Sequence, residues 1–147
     1  MTSKKQKMIA FFFIILMSGS AVTFALQYIF GEKEEPVQIP QEKILSYELS
    51  EKQKQYLLPK GYTLILYSYT TGCLECINTK KDLERMTQDS DGQIFLQEVV
   101  KNEGVPMASI ISLNGGKTIN SPTSNELENV ICDVLVQRPL WCVSAKI

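Results

Sequence analysis

Hydrophobic and polar positions divide the 147-residue chain into a continuous apolar block, a polar stretch and a region of alternating short patterns. Met8 to Phe30, MIAFFFIILMSGSAVTFALQYIF, holds no charged residue and is long enough to cross a hydrocarbon core of about 30 Å as a helix. Residues 31–45 are charged, carry two prolines and show no sustained apolar period, which reads as an extended spacer. From residue 46 onward the pattern becomes that of a folded domain. Ser50-x-x-Gln53 has the form of a capping box and predicts a short helix to about Leu58, ended by Pro59-Lys60-Gly61. Tyr62 to Tyr69 is a nearly continuous apolar run, the mark of a strand buried on both faces, and Thr70-Thr71-Gly72 breaks it.

The second half of the domain continues the alternation. Cys76, Thr79, Leu83 and Met86 form one stripe of a helix whose other face carries Lys80, Lys81, Asp82 and Arg85, so the two lysines read as a solvated surface. Gln93 to Val100 predicts a second strand, joined to the first by that helix in a right-handed crossover. Val105-Pro106 introduces a third strand, and Asn114-Gly115 marks a hairpin into a fourth, Lys117 to Asn120. Thr123 and Glu126 then cap a last helix with Leu127, Val130, Ile131, Val134 and Leu135 on one face. Cys132 falls off that stripe. Pro139 prevents continuation, and a tail follows with Trp141, the only tryptophan, and Cys142. The fold class is α/β, with a central mixed four-stranded sheet, flanking helices and one N-terminal transmembrane helix.

Charge then orients the chain. Lys4, Lys5 and Lys7 precede the apolar block, and Glu32, Glu34 and Glu35 follow it, so the positive-inside rule places residues 1–7 in the cytoplasm. The segment 8–30 is read as an uncleaved signal anchor, the rival being a signal peptide cleaved near Ser18-Gly19-Ser20-Ala21. Residues 46–147 are then an extracytoplasmic domain. Residues 31–147 hold 12 basic and 16 acidic side chains, which argues against a nucleic-acid surface. The chain has no histidine, which removes His bases and His metal ligands and leaves thiol and carboxylate chemistry.

That chemistry centres on Cys73-Leu74-Glu75-Cys76, at the junction of the first buried strand and the helix after it. A cysteine at a helix N-terminus meets unpaired amide groups and the positive dipole end, both of which favour its thiolate. Cys76, one turn on, is close enough to displace a mixed disulfide formed at Cys73. Glu75 opposes thiolate formation and moves the pair toward the reducing end of a range from about −120 to about −270 mV. A permanent disulfide or half of a zinc site are the plain alternatives. The zinc reading needs Cys132 and Cys142 to converge on the pair, and their spacing does not match structural zinc knuckles. In an exported domain Cys132 pairs instead with Cys142 as a structural disulfide, stabilising by roughly 2 to 3 kcal/mol, with a second redox pair as the sharper alternative.

Over about residues 46 to 136 the chain resembles the thioredoxin-like superfamily. The match is carried by Gly72-Cys73-Leu74-Glu75-Cys76 and Val105-Pro106, in the order strand, Cys-x-x-Cys, helix, strand, X-Pro, hairpin, helix. The resemblance implies that Cys73 is the exposed nucleophile, Cys76 the buried resolving thiol, and Pro106 a cis-proline facing the disulfide. Four features differ from the family pattern: no Trp precedes Cys73, the dipeptide is Leu-Glu, YTLILYSYT holds no acid, and a short link from Val100 to Pro106 stands where the family usually inserts a helix. The resulting expectation is a membrane-anchored thiol–disulfide oxidoreductase exchanging disulfides with client proteins. It uses no cofactor and no metal, binds no nucleic acid, and has the bilayer and a membrane thiol carrier as further partners. The alternative is a non-catalytic thioredoxin-like module tethered to the membrane, with both cysteine pairs as staples.

Overall fold

The computed structural model describes residues 36–144, so the apolar segment 8–30 lies outside the described residues. Among the described residues no helix is long and apolar enough to cross a membrane. The elements run β1 (Ile44–Leu45), α1 (Glu51–Leu57), a 3-10 turn (Leu58–Lys60), β2 (Thr63–Thr70), α2 (Leu74–Gln88), β3 (Ile94–Lys101), β4 (Met107–Ser112), β5 (Gly115–Asn120), α3 (Ser124–Val134) and α4 (Leu140–Ser144). They form one mixed sheet in the order β1-β3-β2-β4-β5.

The sheet has five strands where the sequence pattern predicts four. The addition is β1, whose Ile44 and Leu45 pair in parallel with Leu96 and Gln97, inside the stretch read as spacer. Two residues are too few to show a period of two. What holds them is tertiary: Leu96 N–H donates to the Lys43 carbonyl at 2.8 Å, and the Lys43 ammonium sits over the rings of Tyr62 and Phe95 at 4.4 and 3.8 Å.

β2 is the central strand, paired in parallel along its whole length with β3 and antiparallel with β4. Its burial on both faces explains its composition. Ile65 and Tyr67 face a layer built with α2 and α3, while Leu64 joins Leu45, Leu49, Leu57 and Phe95 on the opposite side. The short link between β3 and β4 crosses β2, a distance of two strand spacings or about 10 Å, which six extended residues span. At the following hairpin Ser112 pairs with Gly115, so the turn is Leu113-Asn114, one residue earlier than the Asn-Gly signal predicts.

The caps follow their sequence signals. Gln53 N–H donates to Ser50 Oγ at 3.3 Å and Ser50 N–H to Gln53 Oε1 at 2.9 Å, completing the box before α1. At α3, Glu126 N–H donates to Thr123 Oγ1, but the Glu126 carboxylate turns toward Lys117, 4.0 Å away.

Candidate functional site: the Cys73–Cys76 disulfide

Three local features present the cysteine pair. The buried strand β2 ends at Thr70, and Gly72 then turns the chain with φ at +91°, a left-handed conformation that side chains other than glycine's adopt at a cost. Cys73 is thereby the N-cap of α2, with extended backbone, and its Sγ accepts the Cys76 N–H at 3.2 Å. The two sulfurs are joined in a disulfide, with Cα atoms 5.2 Å apart. The pair is unequal: Cys73 is half-buried, whereas Cys76 is 2% exposed and packs in the core with Tyr67 and Leu83. A partner can therefore reach Cys73 and not Cys76.

The disulfide opens into a cleft of about 480 Å³ bounded by Tyr67, Glu75, Asn78, Thr79, Pro106 and the turn Ser121-Pro122-Thr123. Tyr67 forms part of its inner wall; the hydroxyl donates to the Cys76 carbonyl at 3.3 Å, and burial pushes its pKa up, so it remains a neutral donor. Pro106 lies in the cleft with both cysteines, but no peptide bond among the described residues is cis, so the Val105-Pro106 bond is trans, contrary to the expectation. The physical anchor of that segment is the Pro106 carbonyl, which accepts Ser121 N–H at 2.7 Å and so extends the β4–β5 pairing beyond Met107 and Asn120.

On the strand beside β2 lies a group the sequence did not reveal. Glu98 on β3, in register with Tyr67, is 9% exposed; its Oε2 lies 3.1 Å from Lys80 Nζ, and its Oε1 is buried without a hydrogen-bond partner. Burial holds the Glu98 carboxyl above the ordinary glutamate range despite the pull of Lys80. Lys80 also bonds Glu84 at 2.7 Å, and that contact, with help from Glu98, raises its own pKa. Lys80 is thus half-buried and doubly paired rather than a solvated surface lysine. The strand before the cysteines holds no acid, as the sequence shows, but the neighbouring strand supplies one. The available signal was the lone acid inside the apolar run IFLQEVV, a position whose side chain must find a partner if buried.

The second pair, Cys132 and Cys142, forms a disulfide with Cα atoms 5.4 Å apart, joining α3 to α4. Both residues are buried in the same core as Cys76, although Cys132 falls off the apolar stripe of α3. α3 is covered on a second side by the tail, and periodicity toward the sheet does not register that side. The tail is held further by Trp141, whose Nε1 donates to the Asp89 carbonyl at the end of α2. The four cysteines are consumed in two disulfides, and no cluster of potential metal ligands occurs among the described residues.

The sequence matches no protein-family model and no curated protein. Among solved structures, a redox protein from Chlamydomonas reinhardtii superposes with a TM-score of 0.53 at 12% identity, over 77% of this chain and 42% of that one. Chloroplastic thioredoxin z aligns over 59% of this chain and 91% of its own, at 16% identity and TM-score 0.43. Thioredoxin of Fasciola hepatica aligns over 60% and 96%, at 10% identity and TM-score 0.41. The fold is thioredoxin-like, with a Cys-x-x-Cys pair at the junction of β2 and α2.

Proposed function

We propose that the chain is a thiol–disulfide oxidoreductase, with Cys73 as nucleophile and Cys76 as resolving cysteine. The observation that carries this is the asymmetry of the pair, a reachable sulfur at a helix N-cap with its partner buried one turn behind. In the reduced form the Cys73 thiolate attacks a client disulfide, forming a mixed disulfide and releasing one client thiol. Cys76 then attacks Cys73 Sγ, closes the internal disulfide and releases the second client thiol; run backward, the same steps oxidise a dithiol. Cys76 must lose its proton out of contact with water. Glu98, a buried carboxylate in the same core layer with a free oxygen and a raised pKa, has the chemistry to accept it.

In this reading Met8 to Phe30 anchors the chain, and the lysines before it put the domain on the extracytoplasmic side. A reductase there draws electrons from a membrane thiol carrier. The Cys132–Cys142 disulfide is a structural staple, since both its cysteines are buried. Trp141 in the same tail bonds the foot of α2.

The test is reduction of insulin by the detergent-solubilised 147-residue chain. Cys73→Ser is expected to abolish it, and retained activity overturns the assignment. A redox titration separates exchange from a purely structural disulfide. A working pair titrates between about −120 and −270 mV, whereas a staple resists the glutathione pool, below about −300 mV.

A further inference from the structure

The rim of the cleft has a composition that defines what enters it. Three large apolar side chains adjoining residues of the cleft in sequence stand exposed: Leu74 at 73% and Ile77 on the first turn of α2, beside Cys73, Cys76 and Asn78, and Val105 at 63%, next to Pro106. Buried apolar surface is the common outcome of folding, so three such residues next to cleft-lining positions offer a contact surface. Among the described residues lining the cleft, Glu75 is the only fully charged side chain; no Lys or Arg lines it. Lys101 at the end of β3 and Glu103 on the link that leads to Val105 are exposed and of opposite sign. The wider domain adds to the same field, because residues 46–147 carry 12 acidic and 10 basic side chains.

We infer that the cleft selects client segments in which the reacting cysteine is flanked by a cationic side chain, with apolar residues beyond it. This rests on the exchange reading above and names its substrate class. The apolar collar covers the client's aliphatic side chains, while Glu75, between the two cysteines, pairs with a lysine or arginine beside the client sulfur. Glu75 is exposed, so the pair acts in a high effective dielectric and favours encounter and orientation more than tight binding. The same carboxylate also disfavours the Cys73 thiolate, but that effect is common to every client and cancels when two clients are compared.

The step compared is balanced and needs no further reactant. The two thiols of Cys73 and Cys76 become a disulfide, the peptide disulfide becomes two thiols, and two electrons and two protons pass from protein to peptide.

The experiment uses the detergent-solubilised 147-residue chain, pre-reduced at Cys73–Cys76 and freed of reductant. It is mixed with two disulfide-linked peptide dimers, Leu-Lys-Cys-Lys-Leu and Leu-Glu-Cys-Glu-Leu. Each rate is divided by the rate of the same peptide with a neutral small dithiol, which removes the intrinsic reactivity of the peptide. At low salt the Lys peptide is expected to react roughly two- to tenfold faster, the ratio falling toward one in 0.5 M salt. Glu75→Gln lowers the ratio and Glu75→Lys inverts it. A normalised ratio of one in the wild type, or a ratio unchanged in Glu75→Lys, overturns the inference while leaving exchange intact. Failure of both peptides to react overturns the exchange reading, and this inference with it.

Discussion

Lys80 Nζ lies 3.1 Å from Glu98 Oε2, joining α2 to the strand beside β2 through a pair whose acid is almost wholly buried. Removing the lysine leaves that acid in the core with no countercharge, whereas removing the acid frees only a half-exposed ammonium that still holds Glu84. Lys80→Met is therefore expected to cost about 2 to 3 kcal/mol in urea unfolding, below the range for fully buried pairs because Lys80 is partly solvated. Glu98→Gln is expected to cost less. Equal losses in the two variants count against an unpaired buried charge as the cause.

The raised pKa of Glu98 fixes the sign of a pH effect. Its carboxyl holds a proton more readily in the fold than in the unfolded chain, where it titrates near 4.5. The stability it contributes is therefore fully present below that value and is lost as pH rises through the raised folded value. Measured urea midpoints of the wild type are expected to fall across that window, and those of Glu98→Gln to lack that component. A wild-type midpoint that rises there contradicts the assignment.

The order of attack at the two cysteines is open to trapping. Cys76→Ser is expected to accumulate a mixed disulfide between Cys73 and an oxidised client, seen as a non-reducing gel band that dithiothreitol removes. Cys73→Ser forms none, because Cys76 is 2% exposed. Glu98→Gln is expected to prolong the same intermediate roughly tenfold, below the usual range for a general base because water or hydroxide still competes. An unchanged lifetime excludes Glu98 as the proton acceptor.

Replacing Cys132 and Cys142 together with Ala opens a loop of about ten residues and two buried positions in one core. A loss of about 3 kcal/mol is expected in chemical denaturation, with insulin reduction retained in the folded protein. Loss of activity in a variant that remains folded would instead identify the second pair as a relay.

Gly72 holds φ at +91°, and beyond its two chain neighbours no residue comes within 4 Å of where a Cβ would be. Gly72→Ala therefore tests backbone strain without a clash. About 1 to 2 kcal/mol of destabilisation is expected, together with slower exchange at Cys73, since the turn relaxes by moving the N-cap.

Features legible in the sequence were those encoded within a few residues of themselves. The apolar run of β2, the Ser50-Gln53 box, the stripe from Cys76 to Met86 and the hairpin signal near Asn114 each carry their own local cause. Features set by a distant neighbour were not legible. β1 exists because β3 offers an edge and because Tyr62 and Phe95 hold Lys43. Lys80 reads as surface until β3 places Glu98 opposite it. Cys132 lies off the apolar stripe and is buried only because the tail folds over the second side of α3. The trans geometry at Pro106 lay beyond a motif read by resemblance, since the Val-Pro dipeptide is the same in either isomer.

In the exchange proposed above, the sulfur of Cys73 is both the attacking atom and the acceptor that closes the first turn of α2. A thiolate accepts an amide hydrogen more strongly than a disulfide sulfur does, so electron transfer at this atom changes how firmly the helix begins. Thermodynamic reciprocity makes the exchange mutual. Whatever tightens the first turn of α2 favours the thiolate at Cys73, and a client that pulls on Leu74 or Glu75 alters the reactivity of the sulfur it has come to meet.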